Sequence, residues 1–346
     1  MKILIISDAW HPQVNGVVRT YEYLNKELAN RGHDIKVISP SDFKGVMPMP
    51  GYKEIQLAVA PYKKLCRLIK GYNPDAIHIA TEGPIGTASR KYCLKNNIKF
   101  TTSYHSQFPD YFAKRASRRT PFLYNFFRHV GVQIIKNFHA PSSSMLVTTK
   151  SMSDELKGWG IKTPINKFTR GLDHQIFHLG PKNLFRDLKQ PIALYVGRLA
   201  VEKNIEEFLD MPWHGSKVVV GHGPDENKLR KKYPNVVFTG KKTGKELADH
   251  YRSSDIFIFP SKTDTFGLVL IEALACGLPV AAHDVIGPRD VIINDTLGYL
   301  HEDLSIAAMK ALKTGSAKQR NQYVRENYTW EKACDQFLEA TKKVLN

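Results

Sequence analysis

Short apolar segments that lack polar alternation recur along the chain, and each leads through a loop into a helical pattern. Two of them, KILIIS at 2–7 and PIALYVG at 191–197, open the two halves of the sequence. A strand without alternation is buried on both faces, and strands that alternate with helices form parallel sheets. The pattern therefore predicts an α/β fold with two doubly wound parallel sheets. Further predicted strands are DIKVIS, DAIHIA and IKFTTSYH in the first half, and KVVVG, NVVFTG, DIFIFPS and LPVAAH in the second.

The length of the chain suits this two-sheet organisation. At 346 residues it exceeds what one hydrophobic core comfortably organises. We predict Rossmann-like domains at 1–175 and 176–328, joined near the turn-rich stretch 170–191, and a closing helix at 329–346. Because ligands of such sheets bind beyond the carboxyl ends of the strands, functional residues are expected in the loops there. The closing helix is predicted to pack through a stripe formed by Trp330, Ala333, Phe337 and Ala340.

The composition is ordinary for a soluble globular protein, with 42% hydrophobic and 24% charged residues. No apolar run approaches the roughly 18 residues that a membrane span requires, and the short apolar run near the amino terminus does not suffice for a signal peptide. The cysteines show neither zinc-ligand spacing nor a disulfide pattern, which suits a reducing compartment. We therefore expect a cytoplasmic protein. The four cysteines are Cys66, Cys93, Cys276 and Cys334.

The formal net charge of +17 is distributed unevenly along the chain. Residues 1–180 carry 26 Lys and Arg against 12 Asp and Glu, whereas residues 181–346 carry 24 against 21. A basic half is attracted to polyanions, which include both nucleic acid and anionic lipid.

The stretch KTDTFGLVLIEALACGLPV at 262–280 carries two acids around a predicted helix start. Thr265 is expected to cap that helix, which puts Asp264 in the preceding loop and Glu272 in the second turn. Unpaired amides and the helix dipole favour an anion there. Carboxylates accept hydrogen bonds from hydroxyls, so this combination indicates a ligand with phosphate and hydroxyl groups, such as a nucleotide sugar. Alternatively, Asp264 only complements the dipole and Glu272 is a solvated helix residue.

Basic residues and glycines follow the first two strands of the second half. In GRLAVEKN, Arg198 and Lys203 follow a predicted strand and can pair with a diphosphate, although solvated surface cations are the alternative. In VGHGPDENKL, Gly221 and Gly223 indicate a tight turn that can lie close to a ligand. The third glycine of a dinucleotide fingerprint is missing there.

Two candidates in the first half lie between a strand and the helix that follows. Asn15 and Gly16, in PQVNGVVRT, form either a plain turn or a place where a glycine admits a ligand close to the backbone. His105, in TSYHSQFPDYF, comes just past a strand end and so faces the expected ligand edge. A packed or surface histidine is the alternative interpretation.

Six segments together resemble, in order and spacing, the motifs of the retaining glycosyltransferases of family 4. The resemblance covers nearly the whole chain and implies the GT-B fold, in which two Rossmann-like domains face a central cleft. Within the family, the chain looks like the branch that transfers mannose or a related hexose to lipids or lipopolysaccharide. The family pattern is two Glu separated by seven residues, and this chain has Asp264 in the first place. The segments are HPQVNGVVRT, YHSQFPDYF, RGLDHQIF, VGRLAVEKN, VGHGPDENKL and PSKTDTFGLVLIEALACGLPVAA.

The resemblance implies a role for each matching residue. Arg198 and Lys203 would hold the diphosphate of a nucleotide sugar, with GDP-mannose favoured over a UDP-hexose. Glu272 would bond the ribose hydroxyls and Asp264 the hexose hydroxyls, while His105 would contact the sugar near its reactive carbon. No metal and no cofactor is expected, because the two cations neutralise the leaving phosphate. Further donor contacts are expected at Gly16, Gly197, Gly223, Lys241, Thr265, Phe266, Gly267 and Leu268.

The segment 111–138, YFAKRASRRTPFLYNFFRHVGVQIIKNF, interleaves cations with aromatic side chains. Such a mixture suits a membrane interface, where aromatics enter the headgroup region and cations meet anionic lipid. The alternative is a helix packed on the core with an exposed basic loop. Together with the positive charge of the first half, the segment 111–138 favours a peripheral enzyme on the cytoplasmic membrane face. Such an enzyme would act on a lipid-linked or glycan acceptor. The residues concerned are Lys114, Arg115, Arg118, Arg119, Arg128, Phe122, Leu123, Tyr124, Phe126 and Phe127.

A different function class is a basic nucleic-acid-binding protein whose nucleotide-binding domains are not catalytic. Against it, the sequence carries no nucleic-acid recognition motif and its carboxyl half is nearly neutral. A nicotinamide-dependent oxidoreductase is disfavoured because the glycine fingerprint is absent. We therefore expect a nucleotide sugar as the partner, and no nucleic acid.

Overall fold

The structure is a computed structural model, and it describes residues 1–13, 15–49, 52–105, 107–117 and 120–345, with only the backbone at 52–55. The chain divides into two compact units. The first unit is Met1–Gly171 together with Trp330–Asn346, and the second is Leu172–Thr329.

The first unit is built on a parallel sheet with the strand order β2-β1-β5-β6-β7-β8. The central strand β1 pairs with a strand on either side, with Ile3 opposite both Ile35 and Ala76. Residues 3–6 are buried, which explains the absence of polar alternation in this strand. The strands are Lys2–Ile6 (β1), Asp34–Ile38 (β2), Val46–Met49 (β3), Tyr52–Ala58 (β4), Ala76–Ile79 (β5), Thr101–Tyr104 (β6), Ser144–Val147 (β7) and Ile165–Lys167 (β8).

The second unit repeats this design with the strand order β11-β10-β9-β12-β13-β14, again parallel throughout. These two sheets confirm the predicted α/β fold with two Rossmann-like parallel sheets. The strands are Ala193–Val196 (β9), Lys217–Val220 (β10), Val237–Gly240 (β11), Ile256–Phe259 (β12), Val280–Ala282 (β13) and Gly298–Leu300 (β14).

Helices connect the strands in both units and cover the sheets. Those of the first unit are Gly16–Asn30 (α1), Tyr62–Tyr72 (α2), Pro84–Lys95 (α3), Phe108–Ala116 (α4), Tyr124–His139 (α5) and Lys150–Gly158 (α6). Those of the second are Ile205–Asp210 (α7), Glu226–Lys232 (α8), Gly244–Arg252 (α9), Leu268–Ala275 (α10), Pro288–Val291 (α11), Leu304–Ala311 (α12) and Ala317–Asn327 (α13).

One element departs from the predicted βα alternation. Strands β3 and β4 form a separate antiparallel ribbon outside the main sheet. Val46 and Met47 of this ribbon are exposed, so the segment lacks the doubly buried character that identified strands such as β1 and β9. The expectation of parallel sheets alone is therefore wrong for residues 46–49 and 52–58.

The last helix, Trp330–Lys342 (α14), packs in the first unit although it follows the second in sequence. Phe337 is fully buried, and its ring lies 5.0 Å from that of His78 and 5.9 Å from that of Phe168. Arg31 pairs with Asp335 at 2.5 Å at the surface. The predicted apolar stripe is thus the face that α14 buries against β1 and α1.

None of the helices in the described ranges combines the length and the apolar character that crossing a membrane requires.

The packing of α14 yields a stability prediction. Phe337→Ala is expected to lower the free energy of unfolding of the first unit by about 3–5 kcal/mol, because it removes a fully buried ring and leaves a cavity. Leu345→Ala, at a side chain that is 44% exposed near the same terminus, should change it by less than about 0.5 kcal/mol. Hydrogen exchange read separately for each unit measures both changes. Equal effects of the two variants would contradict the assigned packing.

Candidate functional site

Four predicted residues lie at the carboxyl edge of the second sheet, and we call Arg198, Lys203, Asp264 and Glu272 the Lys203 cluster. Arg198 follows β9, and Lys203 ends a short 3₁₀ turn after it. Asp264 follows β12, the neighbour of β9 in the sheet, and Glu272 lies in α10. The parallel arrangement therefore collects the loops and the helix that carry these residues at one sheet edge, where ligands of such sheets bind.

The closest contact of the cluster joins one of its two cations, Lys203, to one of its two acids, Asp264. Nζ of Lys203 donates to Oδ1 of Asp264 at 2.5 Å, and both side chains are about three-quarters buried. The other carboxylate oxygen of Asp264, Oδ2, is buried and has no hydrogen-bond partner in the described part of the chain. A buried acceptor without a partner is costly unless a ligand satisfies it. The geometry therefore leaves one carboxylate oxygen available to a hydroxyl donor.

The helix after Asp264 starts later than the sequence predicted. Its N-cap is Gly267, with φ at 80°, and helix α10 begins at Leu268. The expectation that Thr265 caps the helix is wrong, because the chain makes a left-handed turn that glycine adopts without strain. The first internal bond runs from the amide of Leu270 to the carbonyl of Gly267 at 2.9 Å. Phe266 is buried against the ring of Tyr328, which fixes this turn.

Glu272 is not the solvated helix residue that the alternative interpretation required. Its side chain is only 3% exposed, and Oε2 accepts a hydrogen bond from the hydroxyl of Tyr251 at 2.9 Å. Tyr251 is itself fully buried and comes from α9, which packs beside α10. A buried carboxylate held by a tyrosine is an oriented acceptor for a hydrogen-bond donor.

Arg198 is the most accessible member of the cluster. Its side chain is 39% exposed, and Nη1 lies 4.0 Å from Oε1 of Glu202. A guanidinium with this exposure can make a bidentate contact with a phosphate. The cluster can thus supply two cations and the amides of the first turn of α10 to a diphosphate.

The predicted glycines of this unit are explained mainly by backbone packing. A Cβ on Gly223 would lie 2.2 Å from the carbonyl oxygen of Leu199, and one on Gly197 would lie 2.8 Å from the hydroxyl of Tyr195. Backbone packing therefore requires glycine at 223 without any ligand, whereas a side chain at 197 would have to displace the buried ring of Tyr195. Lys241 is exposed directly after β11.

A second group of polar residues lies in the first unit, and we call Tyr21, His78, Ser103, His105 and Arg170 the His105 cluster. His105 follows β6, as predicted. Its Nδ1 is 3.0 Å from Nη2 of Arg170, and its Nε2 is 3.1 Å from the hydroxyl of Tyr21. The hydroxyl of Tyr21 also lies 2.8 Å from Nε2 of His78 and 3.0 Å from Oγ of Ser103. His105 is therefore neither an isolated core histidine nor a free surface one.

Asn15 and Gly16 begin a helix and do not form an isolated turn. Oδ1 of Asn15 accepts from the amides of Val17 and Val18, both at 3.0 Å, so Asn15 is the N-cap of α1. Gly16 is the first residue of the helix and is exposed. Its backbone is accessible to a ligand at the amino end of α1.

The basic and aromatic segment forms the packed pair α4 and α5. Gly131 of α5 allows the close approach, because a Cβ there would lie 2.8 Å from the Cα of Pro109. Phe122 and Phe126 are 81% and 61% exposed. Arg128 pairs with Asp110 at 3.0 Å and with Glu155 at 3.4 Å, so it does not belong to a free basic surface. Lys114 and Arg115 are exposed, and the predicted contributors Arg118 and Arg119 lie outside the described residues.

Sequence reasoning overlooked three residues that form hydrogen bonds with predicted site residues. Tyr251 and Tyr21 occupy helix positions with core spacing, so nothing in the sequence distinguishes them from ordinary buried aromatics. Arg170 stands first in the segment RGLDHQIF, whose match to the family motif was the one available signal. The structure brings Lys203 and Asp264 into contact, and it places His105 and Gly16 in the other unit.

Family models match nearly the whole chain in two parts. Residues 14–176 match Glycosyltransferase Family 4, and residues 180–330 match Glycosyl transferases group 1.

Named relatives and solved structures agree with these matches. A GDP-mannose-dependent alpha-mannosyltransferase of Mycobacterium tuberculosis is 29% identical over 87% of this chain and 83% of its own. An alpha-monoglucosyldiacylglycerol synthase of Streptococcus pneumoniae is 26% identical over 90% of this chain and 78% of its own. The structure of sucrose-phosphate synthase from Thermosynechococcus elongatus superposes with a TM-score of 0.75 at 20% identity, covering 99% of this chain and 98% of that one. The likeness to that structure concerns the fold.

Proposed function

Because the chain belongs to the glycosyltransferases, with a family 4 domain followed by a group 1 domain, we propose that it moves mannose from GDP-mannose to a lipid-linked acceptor. The transfer retains the anomeric configuration and requires no metal ion. The observation that carries the proposal is the Lys203 cluster, which combines cations for a diphosphate with oriented carboxylates for hydroxyls.

The cluster accounts for each part of a nucleotide sugar. Arg198 and Lys203 hold the diphosphate together with the amides of Phe266, Gly267 and Leu268. Oδ2 of Asp264, which has no partner among the described residues, accepts from a hexose hydroxyl. Glu272, oriented by the hydroxyl of Tyr251, accepts from the ribose hydroxyls. The remaining donor contacts are assigned to Gly16, Gly197, Gly223, Lys241 and Thr265.

Catalysis follows from the charge that develops on the leaving group. As the bond between the anomeric carbon and the phosphate oxygen breaks, its electron pair goes to that oxygen and the sugar ring becomes positive. Preorganised cations and amides stabilise this transition state more than the ground state. The acceptor oxygen attacks from the face that the phosphate leaves, and its proton passes to the departing phosphate oxygen. The same two cations do the work that a divalent ion does in other enzymes.

The choice of donor and acceptor class rests on the relatives. Three relatives named GDP-mannose-dependent alpha-mannosyltransferase match 87% to 100% of the chain, which supports mannose and guanine in the donor. Two relatives are named alpha-monoglucosyldiacylglycerol synthase, which supports a lipid acceptor.

A donor screen without acceptor tests the function directly. Slow release of nucleoside diphosphate is expected from GDP-mannose and not from UDP-glucose, and GDP-mannose should raise the melting temperature. Release should continue in EDTA, because the cations of the protein neutralise the phosphate. Duplex and single-stranded oligonucleotides serve as the control for a nucleic-acid-binding protein. Stabilisation by oligonucleotides, with no response to any nucleotide sugar, would overturn the proposal.

The two cations give a sharper test. Arg198→Ala and Lys203→Ala are each expected to lower kcat by about 100- to 1000-fold, because each removes a group that stabilises the leaving phosphate. Lys231→Ala, at an exposed lysine of α8, is the matched control and should keep the wild-type rate. Steady-state kinetics on variants with unchanged melting temperature measure the effect. A near-normal kcat in either site variant would remove that residue from the mechanism.

We also propose that the protein acts at the cytoplasmic membrane face through α4, α5 and the 3₁₀ turn Pro121–Leu123 that precedes α5. The exposed rings of Phe122 and Phe126 lie in the same segment as the exposed cations Lys114 and Arg115. Aromatic rings gain by entering the headgroup region, and cations gain about 1 kcal/mol each near anionic lipid. The basic first half of the sequence adds long-range attraction to such a surface.

Vesicle sedimentation tests the membrane contact. The double variant Phe122→Ser/Phe126→Ser is expected to weaken binding to anionic vesicles by about tenfold or more, because two apolar side chains no longer insert. Ile293→Ser/Met309→Ser changes two comparably exposed apolar side chains of the second unit and should bind as the wild type does. Equal partitioning of the wild type into anionic and neutral vesicles would contradict the proposed attraction between the exposed cations and anionic lipid.

A further inference from the structure

We propose that Arg170 is a positioning residue for His105, which it fixes in a single neutral tautomer and thereby withdraws from proton transfer. The proposal deepens the proposed function and rests on it, and it takes the contact between His105 and the sugar from the resemblance to family 4. The argument starts from the two nitrogens of the imidazole, each of which has a defined partner in the first unit.

The Arg170 contact decides which nitrogen carries the hydrogen. Nη2 of Arg170 lies 3.0 Å from Nδ1 of His105. A guanidinium has hydrogen-bond donors and no acceptor, so Nδ1 has to be the acceptor. Burial lowers the pKa of Arg170 to about 10, which still leaves it charged at neutral pH. A neutral His105 therefore carries its hydrogen on Nε2.

The partner of Nε2 agrees with this assignment. Nε2 of His105 lies 3.1 Å from the hydroxyl of Tyr21, to which it donates. The hydroxyl of Tyr21 is also 2.8 Å from Nε2 of His78, whose Nδ1 lies 2.8 Å from Oγ1 of Thr101. Tyr21, His78 and Thr101 are fully buried. The tautomer is thus connected to a chain of polar groups that cannot reorient in solvent.

The surrounding charges disfavour a second proton on His105. The titratable groups around it are Arg170 from the loop after β8, Tyr21 from α1, His78 from β5 and His139 from the end of α5. Nε2 of His139 lies 3.2 Å from the carboxylate of Glu82. Burial, followed by Arg170, His78 and His139, holds the pKa of His105 well below its ordinary value. A proton on Nδ1 would directly face the guanidinium.

The environment of Arg170 indicates that this arrangement serves more than stability. The side chain is 5% exposed, and no ion pair in the described ranges includes it. Its charge centre lies 5.2 Å from the ring centre of Phe168, and its Nη1 is buried without a hydrogen-bond partner in those ranges. A buried cation without a carboxylate is expensive, and an apolar side chain would stabilise the fold better. A buried side chain that costs stability in this way is expected at a functional site.

The consequence for the reaction concerns the proton of the acceptor. With Nδ1 occupied by Arg170 and Nε2 donating to Tyr21, His105 has no nitrogen lone pair for that proton. The departing phosphate then remains as the acceptor, as the retaining mechanism requires. A neutral imidazole at His105 also places no positive charge beside the anomeric carbon, which itself becomes positive in the transition state.

Nitrogen NMR of the protein labelled with ¹⁵N-histidine tests the tautomer without any substrate. The signals of His105, assigned by their loss in His105→Asn, are expected to show hydrogen on Nε2 alone and no titration between pH 5 and 8. Arg170→Met should produce a mixture of tautomers or a titration in that range. Arg170→Gln should restore the wild-type pattern, because its amide can donate to Nδ1 without a charge. Arg90→Met is the matched control, since Arg90 of the same unit binds the carbonyls of Asn137 and Phe138 and should leave His105 unchanged.

Kinetics of the same variants connect the tautomer to the reaction. Arg170→Met should lower kcat about tenfold or more and add an acidic limb to the pH profile, with a smaller change in KM for the donor. Arg170→Gln should recover most of kcat, and Arg90→Met should show neither change.

The proposal is overturned if wild-type His105 carries hydrogen on Nδ1, if it titrates between pH 5 and 8, or if Arg170→Met keeps the tautomer. Should that variant fail to fold, the wild-type spectrum and Arg170→Gln decide. The expected spectra without turnover of any nucleotide sugar would refute the proposed function and leave the positioning of His105 intact.

Discussion

The contact between Lys203 and Asp264 is the interaction on which the proposed donor site depends. At 2.5 Å it sets a cation and an acid in place at the edge of the second sheet before any ligand arrives. The ammonium has three donors, so one bond to Asp264 leaves others for a phosphate. The carboxylate likewise keeps Oδ2 for a hydroxyl. Since both groups are already oriented and partly desolvated, less reorganisation is needed when charge develops on the leaving group.

The two clusters orient their side chains by different means. Lys203 and Asp264 keep about a quarter of each side chain exposed, so a charged pair survives there with moderate desolvation. The His105 cluster is built from buried polar groups whose donors and acceptors are matched around Tyr21. Such contacts favour one tautomer of His105, because a hydrogen on its Nδ1 would face a donor of Arg170. The partly exposed Lys203 cluster suits ion binding, whereas the buried His105 cluster suits a side chain whose orientation must stay fixed.

Local periodicity predicted nine strands of the two parallel sheets, and so the sheets themselves, but it missed β7, β8 and β14, of which β7 is buried at every position. It failed for β3 and β4, because exposed residues such as Val46 and Met47 remove that signal. The cap at Gly267 was missed because its φ of 80° is not visible in the sequence. The order of motifs located Arg198, Lys203, Asp264 and His105, whereas the partners Tyr251 and Arg170 come from contacts 21 and 65 residues apart in sequence.

The closing helix links the end of the chain to the His105 cluster. The amide of Thr169 donates to Oε1 of Gln336 at 2.8 Å, so α14 holds the loop that carries Arg170. The next residue, Gly171, has to be glycine, because a Cβ there would lie 2.3 Å from the indole of Trp330. The chain crosses between the units twice, and the second crossing returns the helix that fixes this loop. The loop that carries Arg170, the partner of His105, is therefore held by a helix that follows the second unit in sequence and packs in the first.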